Sequence, residues 1–479
     1  MAPSRSTGKT RTILGVIALA LTIALGAGGA YGAGLGTAGL SAEVLAETVV
    51  SEPEVVAETT VSREKPAVDL AALRNPTCSL SALLESEALG EFSGVVIDPV
   101  TNDVLFDRGM DTLLAPASVQ KVLTGVAALN TLGPDTTFQS ATLSTENPEV
   151  LVVKAGGDLT LSATPEGAES VYIGAAKLAD LAEQTIAALE ASLPEGERVT
   201  IRELVMDASL WDPEDNWREA WASSARTNGY ISRITPLQID GDRFNPSAVM
   251  GQRSGDPMGR AASAFVTALR QAGNSARFVS VSYEPTPEGA TAVASVSSRP
   301  VSELVSYMVK ESDNTLAEML GRHISLAQGL DGSGDSVGEG LMRSLASLGI
   351  PDEGLVIDDA SGLSGSNRLT PDFVASLLSE VLRSEGDIGL LAGALPIAGV
   401  DGSLDNRFTG DNAVAQGRVF AKTGSIQGAR SLAGWVSADD DSDLVFAFFA
   451  TGEVSDEART ALETVVTGVF SCGANLADF

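Results

Sequence analysis

Histidine is almost missing from this chain: His323 is the only one in 479 residues. A catalytic zinc site draws about three protein ligands from His, Cys and carboxylate, with His prominent, and a Ser-His-Asp relay would have to run through His323 itself. Its setting, Leu320-Gly321-Arg322-His323-Ile324-Ser325-Leu326, reads as the end of an amphipathic helix, where a histidine is structural or on the surface. Neither a metal centre nor an imidazole base is expected. Cysteine is equally scarce, with only Cys78 and Cys472, too few for a disulfide-dense scaffold or a thiolate cluster. Basic residues are short as well: 31 Lys and Arg face 63 Asp and Glu, a formal net charge of −32. Such a surface repels a phosphate backbone, so nucleic acid is excluded as a partner. Aromatics are only 5%, yet 44% of residues are hydrophobic, which separates the chain from acidic disordered proteins. At roughly 150 residues per domain the length allows about three domains.

The N-terminus carries Arg5, Lys9 and Arg11 and then Ile13 to Leu25 without a charge, and no further charge until Glu43. A basic flank before an apolar run at the extreme terminus is an export signal. The uncharged run is long enough to span a bilayer, while its Gly/Ala tail favours cleavage, so residues 1–42 are a signal peptide or a membrane anchor. Residues 43–74, rich in Glu, Val, Thr, Ser and Pro with no sustained period, read as a flexible acidic stalk. Cys78 follows the stalk and Cys472 lies near the C-terminus. Export permits oxidation, so one bridge could tie the two ends of the folded region together; two free buried thiols are the alternative.

Phe92 to Ile97 and Val104 to Phe106, joined by Asp98-Pro99-Val100-Thr101-Asn102-Asp103, form a predicted β-hairpin. From Val119 to Leu132 the apolar residues Val119, Val122, Leu123, Val126 and Leu129 follow helical spacing, ending at Gly133-Pro134. Strands are predicted at 418–421, 431–436 and 444–449, and a helix from Asp456 to Phe470 with Leu462, Val465, Val466 and Val469 on one face. Residues 135–298 differ in texture, with Gly156-Gly157-Asp158, Trp211, Trp217, Trp221 and repeated Ser/Thr/Val stretches. They read as an inserted domain.

Pro116-Ala117-Ser118-Val119-Gln120-Lys121 places a serine at a helix start and a lysine three residues on, both on one face. A serine hydroxyl is a weak nucleophile and needs a base, and a lysine can serve when burial or nearby cations depress its pKa. Alone, Ser-x-x-Lys carries little, since a helix cap with an exposed lysine has the same pattern. Two further elements change that reading. Ser312-Asp313-Asn314 follows a helix marked by Val301, Leu304, Val305 and Met308, and Lys422-Thr423-Gly424-Ser425 ends a probable strand. Together they supply a hydroxyl that can pass a proton, an amide that can orient a carbonyl, and a second cation that can bind a carboxylate.

This ordered trio resembles the serine penicillin-recognising enzymes. Further segments, Gly156-Gly157-Asp158-Leu159-Thr160-Leu161, Asp359-Ala360-Ser361-Gly362-Leu363-Ser364 and Leu395-Pro396-Ile397-Ala398-Gly399-Val400-Asp401-Gly402-Ser403-Leu404, resemble the low-molecular-mass class C penicillin-binding proteins. Those are D-alanyl-D-alanine carboxypeptidase/endopeptidases of peptidase family S13, and the 190 residues between Lys121 and Ser312 match that group's long insertion. The resemblance implies an α/β (α+β) β-lactamase/transpeptidase-like fold, an antiparallel sheet flanked by helices, formed by residues 75–134 plus 299–479, with a large inserted mainly-β domain at 135–298. It implies Ser118 as the acylated nucleophile and Lys121 as its base. Ser312 and Lys422 would relay the proton to the leaving D-alanine, and Asn314 would hold the acyl donor's peptide. Thr423, Gly424 and Ser425 would bind substrate, with the backbone N–H groups of Ser118 and Ser425 as the oxyanion hole. Peptidoglycan stem peptides are the implied partners and β-lactams the implied covalent inhibitors, without any cofactor, in an exported, extracytoplasmic enzyme. A β-lactamase or esterase on the same fold, or a non-catalytic peptidoglycan-binding scaffold, are the competing readings. Relatives that grip a diamino-acid side chain use an acidic residue shortly after a tryptophan, and here Trp221-Ala222-Ser223-Ser224-Ala225-Arg226-Thr227 has no carboxylate.

Overall fold

The computed structural model describes residues 78–477. The signal or anchor segment expected at 1–42 and the stalk at 43–74 lie outside them. Along the chain come strands β1 (Glu91–Ile97) and β2 (Val104–Arg108) and helix α1 (Gln120–Leu132). Next are β3 (Gln139–Ser144), β4 (Val150–Lys154), α2 (Leu178–Glu190), β5 (Glu203–Asp207), α3 (Pro257–Ala272), β6 (Ser280–Ser282) and β7 (Thr291–Ser297). Helices α4 (Val301–Lys310), α5 (Asn314–Ala327), α6 (Val337–Leu345), α7 (Pro371–Arg383) and α8 (Leu390–Ala394) follow, then β8 (Val419–Ile426), β9 (Ala429–Ser437), β10 (Asp443–Thr451) and α9 (Glu457–Cys472).

The two ends of the described chain build one antiparallel sheet in the order β2-β1-β10-β9-β8. Its central strand, β10, explains its own sequence. Val445, Ala447 and Phe449 point into the layer formed by α1, α4, α5, α6 and α7, while Leu444, Phe446, Phe448 and Ala450 face α9 through Leu462, Val465, Val466 and Val469. A strand covered on both faces has no polar side to present, so Leu444 to Ala450 reads as a continuous apolar run instead of an alternation. The Cys78–Cys472 bridge, with Cα atoms 5.4 Å apart, ties the segment before β1 to the end of α9. Of the two sequence expectations for these thiols, the disulfide is the one found.

Residues 139–297 carry a second sheet, β6-β5-β4-β3-β7, in which β4, β5 and β6 run parallel and β3 pairs antiparallel with β4 and β7. Helices α2 and α3 cover it: Leu181, Ile186, Phe265 and Leu269 pack with Leu151, Val153, Leu204 and Met206. The structure thus adds two helices of 13 and 16 residues to the β-rich reading of this stretch. The segment between β5 and α3 behaves differently. Trp211, Trp221, Ala225, Ile231 and Ile234 are buried in the same core as α1, α4 and α5, which brings this stretch to the edge of the cleft described next.

Candidate active site

Ser118 sits in a single 3-10 turn, Ala117–Val119, that leads into α1. Ala117 has φ of 47°, a region that costs a residue with a Cβ of the order of 1 kcal/mol and is held only where the surroundings over-determine it. Those surroundings are close. The Ser431 hydroxyl of β9 donates to the Pro116 carbonyl at 2.6 Å, and Gly362 and Gly424 lie against this turn. A Cβ on Gly362 would come 1.8 Å from the Ala117 carbonyl oxygen, and one on Gly424 2.0 Å from the Ser431 hydroxyl and 2.7 Å from the Pro116 carbonyl. Glycine at both positions is what lets the loop and β8 approach the nucleophile turn.

One helical turn on, Lys121 is fully buried. Its Nζ donates to Ser118 Oγ at 3.0 Å, to Asn314 Oδ1 at 2.6 Å and to the Ser361 carbonyl at 2.6 Å. Burial lowers its pKa to about 8, against the charges of Asp359, Glu318 and Asp313, which favour the protonated form. Three partners suit both protonation states. The ammonium donates three hydrogens; the neutral amine keeps two donations, to Asn314 and Ser361, and turns its lone pair to the Ser118 hydroxyl. The acceptor at Ser361 is itself positioned. Asp359 accepts from the backbone N–H groups of Gly362 and Ser364, both at 2.7 Å, and from Trp221 Nε1 at 2.8 Å, while Glu318 accepts from Ser361 N at 2.9 Å. Burial, then the charge of Asp359, raises the Glu318 carboxyl to about 8.

Ser312 and Asn314 flank the start of α5. Asp313 caps this helix, accepting from Leu316 N at 3.1 Å, and its other oxygen accepts from Arg243 Nη2 at 2.8 Å and Tyr172 OH at 2.9 Å, all in the interior. Burial works against the charge, but Arg243 and Arg253 prevail and hold Asp313 at about 2. Ser312 takes φ of 57°. Lys422 Nζ donates to Ser312 Oγ and to the Thr423 carbonyl, both at 2.9 Å. Burial, with the charge of Lys121 second, depresses Lys422 well below the ordinary lysine range, opposed by Glu311.

All eight residues expected from the three motifs meet around one cleft of about 760 Å³, whose walls include Ser118, Ser312, Asn314, Thr423 and Ser425 together with Ala222, Ser224, Ala225, Tyr230, Val249 and Met250. Gly424 adjoins it on β8, the edge strand of the sheet. Thr423 Oγ1 donates to Ser403 Oγ at 3.0 Å. His323 stays out of this site: it is buried, stacked 3.7 Å from the Phe138 ring, with Nε2 3.2 Å from the Gly157 carbonyl and its pKa lowered by burial to about 4. Its role is structural. Sequence reasoning did not single out Glu318, Asp359, Ser361, Tyr172 or Arg243. The Asp359–Ser364 segment was visible as a motif without an assigned part, whereas nothing around Arg243 marked it.

Comparison with known proteins gives the family. The model of the D-Ala-D-Ala carboxypeptidase 3 (S13) family matches residues 77–263 and 248–469. The chain belongs to the S13 peptidase family. Among similar proteins, Carboxypeptidase DacB of Mycolicibacterium smegmatis is 32% identical over 99% of both chains, and the D-alanyl-D-alanine carboxypeptidase of an Actinomadura species is 28% identical over 81% of this chain and 82% of that protein. The crystal structure of penicillin binding protein 4 (dacB) from Haemophilus influenzae superposes with a TM-score of 0.67 at 21% identity, covering 82% of this chain and 99% of the other. The S13 chain thus has the expected α+β fold, an antiparallel sheet flanked by helices, with a mixed sheet in the 139–297 stretch.

Proposed function

We propose that this S13 peptidase hydrolyses D-Ala-D-Ala and cross-link peptide bonds of peptidoglycan through an acyl-enzyme on Ser118. Membership of the family supplies the reaction class, a serine D-Ala-D-Ala carboxypeptidase. The observation that carries the residue assignment is the contact between the Ser118 hydroxyl and a buried lysine whose pKa lies near 8.

Two adjacent buried lysines accommodate one proton more easily than two. Although burial and the Lys121 charge also depress Lys422, the productive microstate is the one with that proton on Lys422, where Glu311 favours it, and with Lys121 neutral. Lys121 takes the Ser118 proton as Oγ attacks the carbonyl carbon. The backbone N–H groups of Ser118 and Ser425 receive the oxyanion, a role in which one donor typically accounts for about 10²–10³ in rate. Ser312 passes a proton from Lys422 to the departing nitrogen, and the C–N bond breaks. A water then adds to the ester, gives its proton through Ser312 to the now neutral Lys422, and Lys121 returns its proton to Ser118 as the ester bond opens. Asn314, held by Lys121 and by the Tyr230 carbonyl at 3.0 Å, orients the acyl donor, and Thr423 and Ser425 take the terminal carboxylate. β-Lactams enter the same path and stop at the acyl-enzyme.

In domain terms, 75–134 with 299–479 is the catalytic part and 135–298 the insertion. We place the enzyme outside the cytoplasm, supported by the disulfide and by the N-terminal export pattern; whether residues 1–42 are cleaved or retained as an anchor decides tethering. Among the described residues no helix is long and apolar enough to cross a membrane.

Incubation with a fluorescent penicillin and then with muropeptides tests the proposal. Wild-type protein should be labelled and should release D-alanine, and Ser118→Ala should lose both while melting at an unchanged temperature. Labelling that persists in Ser118→Ala refutes the nucleophile.

A further inference from the structure

Around Ser425 the charge balance of the molecule reverses. Arg430 and Arg459 border both the main cleft and a smaller recess of about 210 Å³ behind Thr423, Gly424 and Ser425, which Arg407 also lines. Two of these three cations are committed elsewhere. Arg407 pairs with the buried carboxylate of Glu463, and Arg430 Nη1 donates to the Ile426 and Ala429 carbonyls at 2.6 and 2.9 Å, fastening the turn between β8 and β9. Arg459, from the first turn of α9, is differently placed. Its Nη2 donates to Ser425 Oγ at 3.1 Å and lies 3.3 Å from Asp456 Oδ1, a carboxylate that is 74% exposed and that Arg430 Nη2 also approaches at 3.2 Å. Among the described residues Nε and Nη1 of Arg459 donate to no protein acceptor. Two guanidinium groups therefore share one solvated carboxylate, a weak arrangement, and the wall carries one cation in excess. Because Ser425 Oγ already accepts from Arg459, its own O–H is left to donate to an oxygen in the cleft.

Resting on the carboxypeptidase reading above, we propose that Arg459 is a specificity-determining residue that reads the free carboxylate of the leaving amino acid, directly and through the Ser425 hydroxyl, so that the enzyme prefers a carboxylate to a carboxamide at this end. A planar guanidinium with unused N–H groups matches a carboxylate, and a charge-assisted pair beside β8 weakens when the acceptor becomes a neutral amide.

The test compares an N-acylated peptide ending in D-Ala-D-Ala with its C-terminal carboxamide, and in parallel benzylpenicillin with its methyl ester, for wild type, Arg459→Gln and Arg459→Lys. Loss of one charged hydrogen bond predicts that Arg459→Gln lowers kcat/KM on the acid about tenfold, mostly through KM, and leaves the amide nearly unchanged; Arg459→Lys recovers part of the loss. The acid-to-ester ratio of the Ser118 acylation rate should fall in step. An equal loss on acid and amide, or an unchanged ratio, overturns the proposal. Wild-type protein that is acylated but releases no D-alanine overturns the carboxypeptidase reading instead, and the penicillin ratio then still decides Arg459. Should Arg459→Gln fail to fold, the same ratio in Arg459→Lys decides.

Discussion

If Lys121 is the base for Ser118, the rising limb of the pH profile for acylation by penicillin must follow the fraction of Lys121 that is neutral. Burial sets that lysine near 8, so Lys121 is neutral in about one molecule in eleven at pH 7 and about ten in eleven at pH 9, which sets a rising limb of up to about tenfold. Loss of the proton from Lys422, also depressed by burial, turns the profile down on the alkaline side. At an ordinary lysine value the ready fraction at pH 7 would be about 300-fold smaller, which is the scale of what desolvation contributes. Glu318 refines the prediction. Its carboxyl titrates near the same pH, and each ionised Glu318 favours the proton on Lys121, so the rise should be broadened by the coupling. Glu318→Gln keeps an acceptor for Ser361 N but removes the charge, and should shift the inflection to lower pH and sharpen it. The assay is the second-order acylation rate of a fluorescent penicillin from pH 6 to 10, read by gel or fluorescence. A flat profile between pH 6 and 9, or an inflection near 10, refutes the reasoning, as does a Glu318→Gln profile displaced to higher pH.

Lys121→Ala should nearly abolish acylation, whereas Lys422→Ala should slow it and also raise KM for peptides; indistinguishable kinetics would dissolve this division of labour. Arg243→Met should cost about 3–5 kcal/mol, since it strands the buried Asp313 carboxylate, and urea unfolding measures this. Asp313 lies near 2 in the folded protein, below its ordinary 3.8, so its contribution to stability is present above about pH 4 and lost as pH falls through 2; acid unfolding of Arg243→Met should begin at a higher pH than that of wild type. Reduction of Cys78–Cys472, which closes a loop of 394 residues, should lower stability by several kcal/mol, with about 6 as the chain-entropy ceiling; an unchanged melting temperature would remove its bracing role.

The chemistry was legible in the sequence because it is written in short local patterns. Ser118 and Lys121 share a helix face by spacing alone, the hairpin and the apolar run of β10 follow from composition, and a lone histidine removes imidazole from consideration without any coordinates. What sequence could not supply is the field in which Lys121 sits. Its pKa depends on burial and on Asp359, Glu318 and Asp313, and its three acceptors come from the turn before α1, from α5 and from the 361 loop, at separations of up to 240 residues. The same holds for Arg243 on Asp313 and Arg459 on Ser425: an arginine in a loop or at a helix start has no local signature of the partner it will meet. Helix content in the 139–297 stretch was under-read because α2 and α3 are rich in alanine and small polar residues, whose apolar stripe becomes evident only against the sheet that they cover. Local periodicity and residue type therefore determined which atoms could react, and only the tertiary fold, by excluding water and converging distant charges, decided how acidic or basic those atoms are.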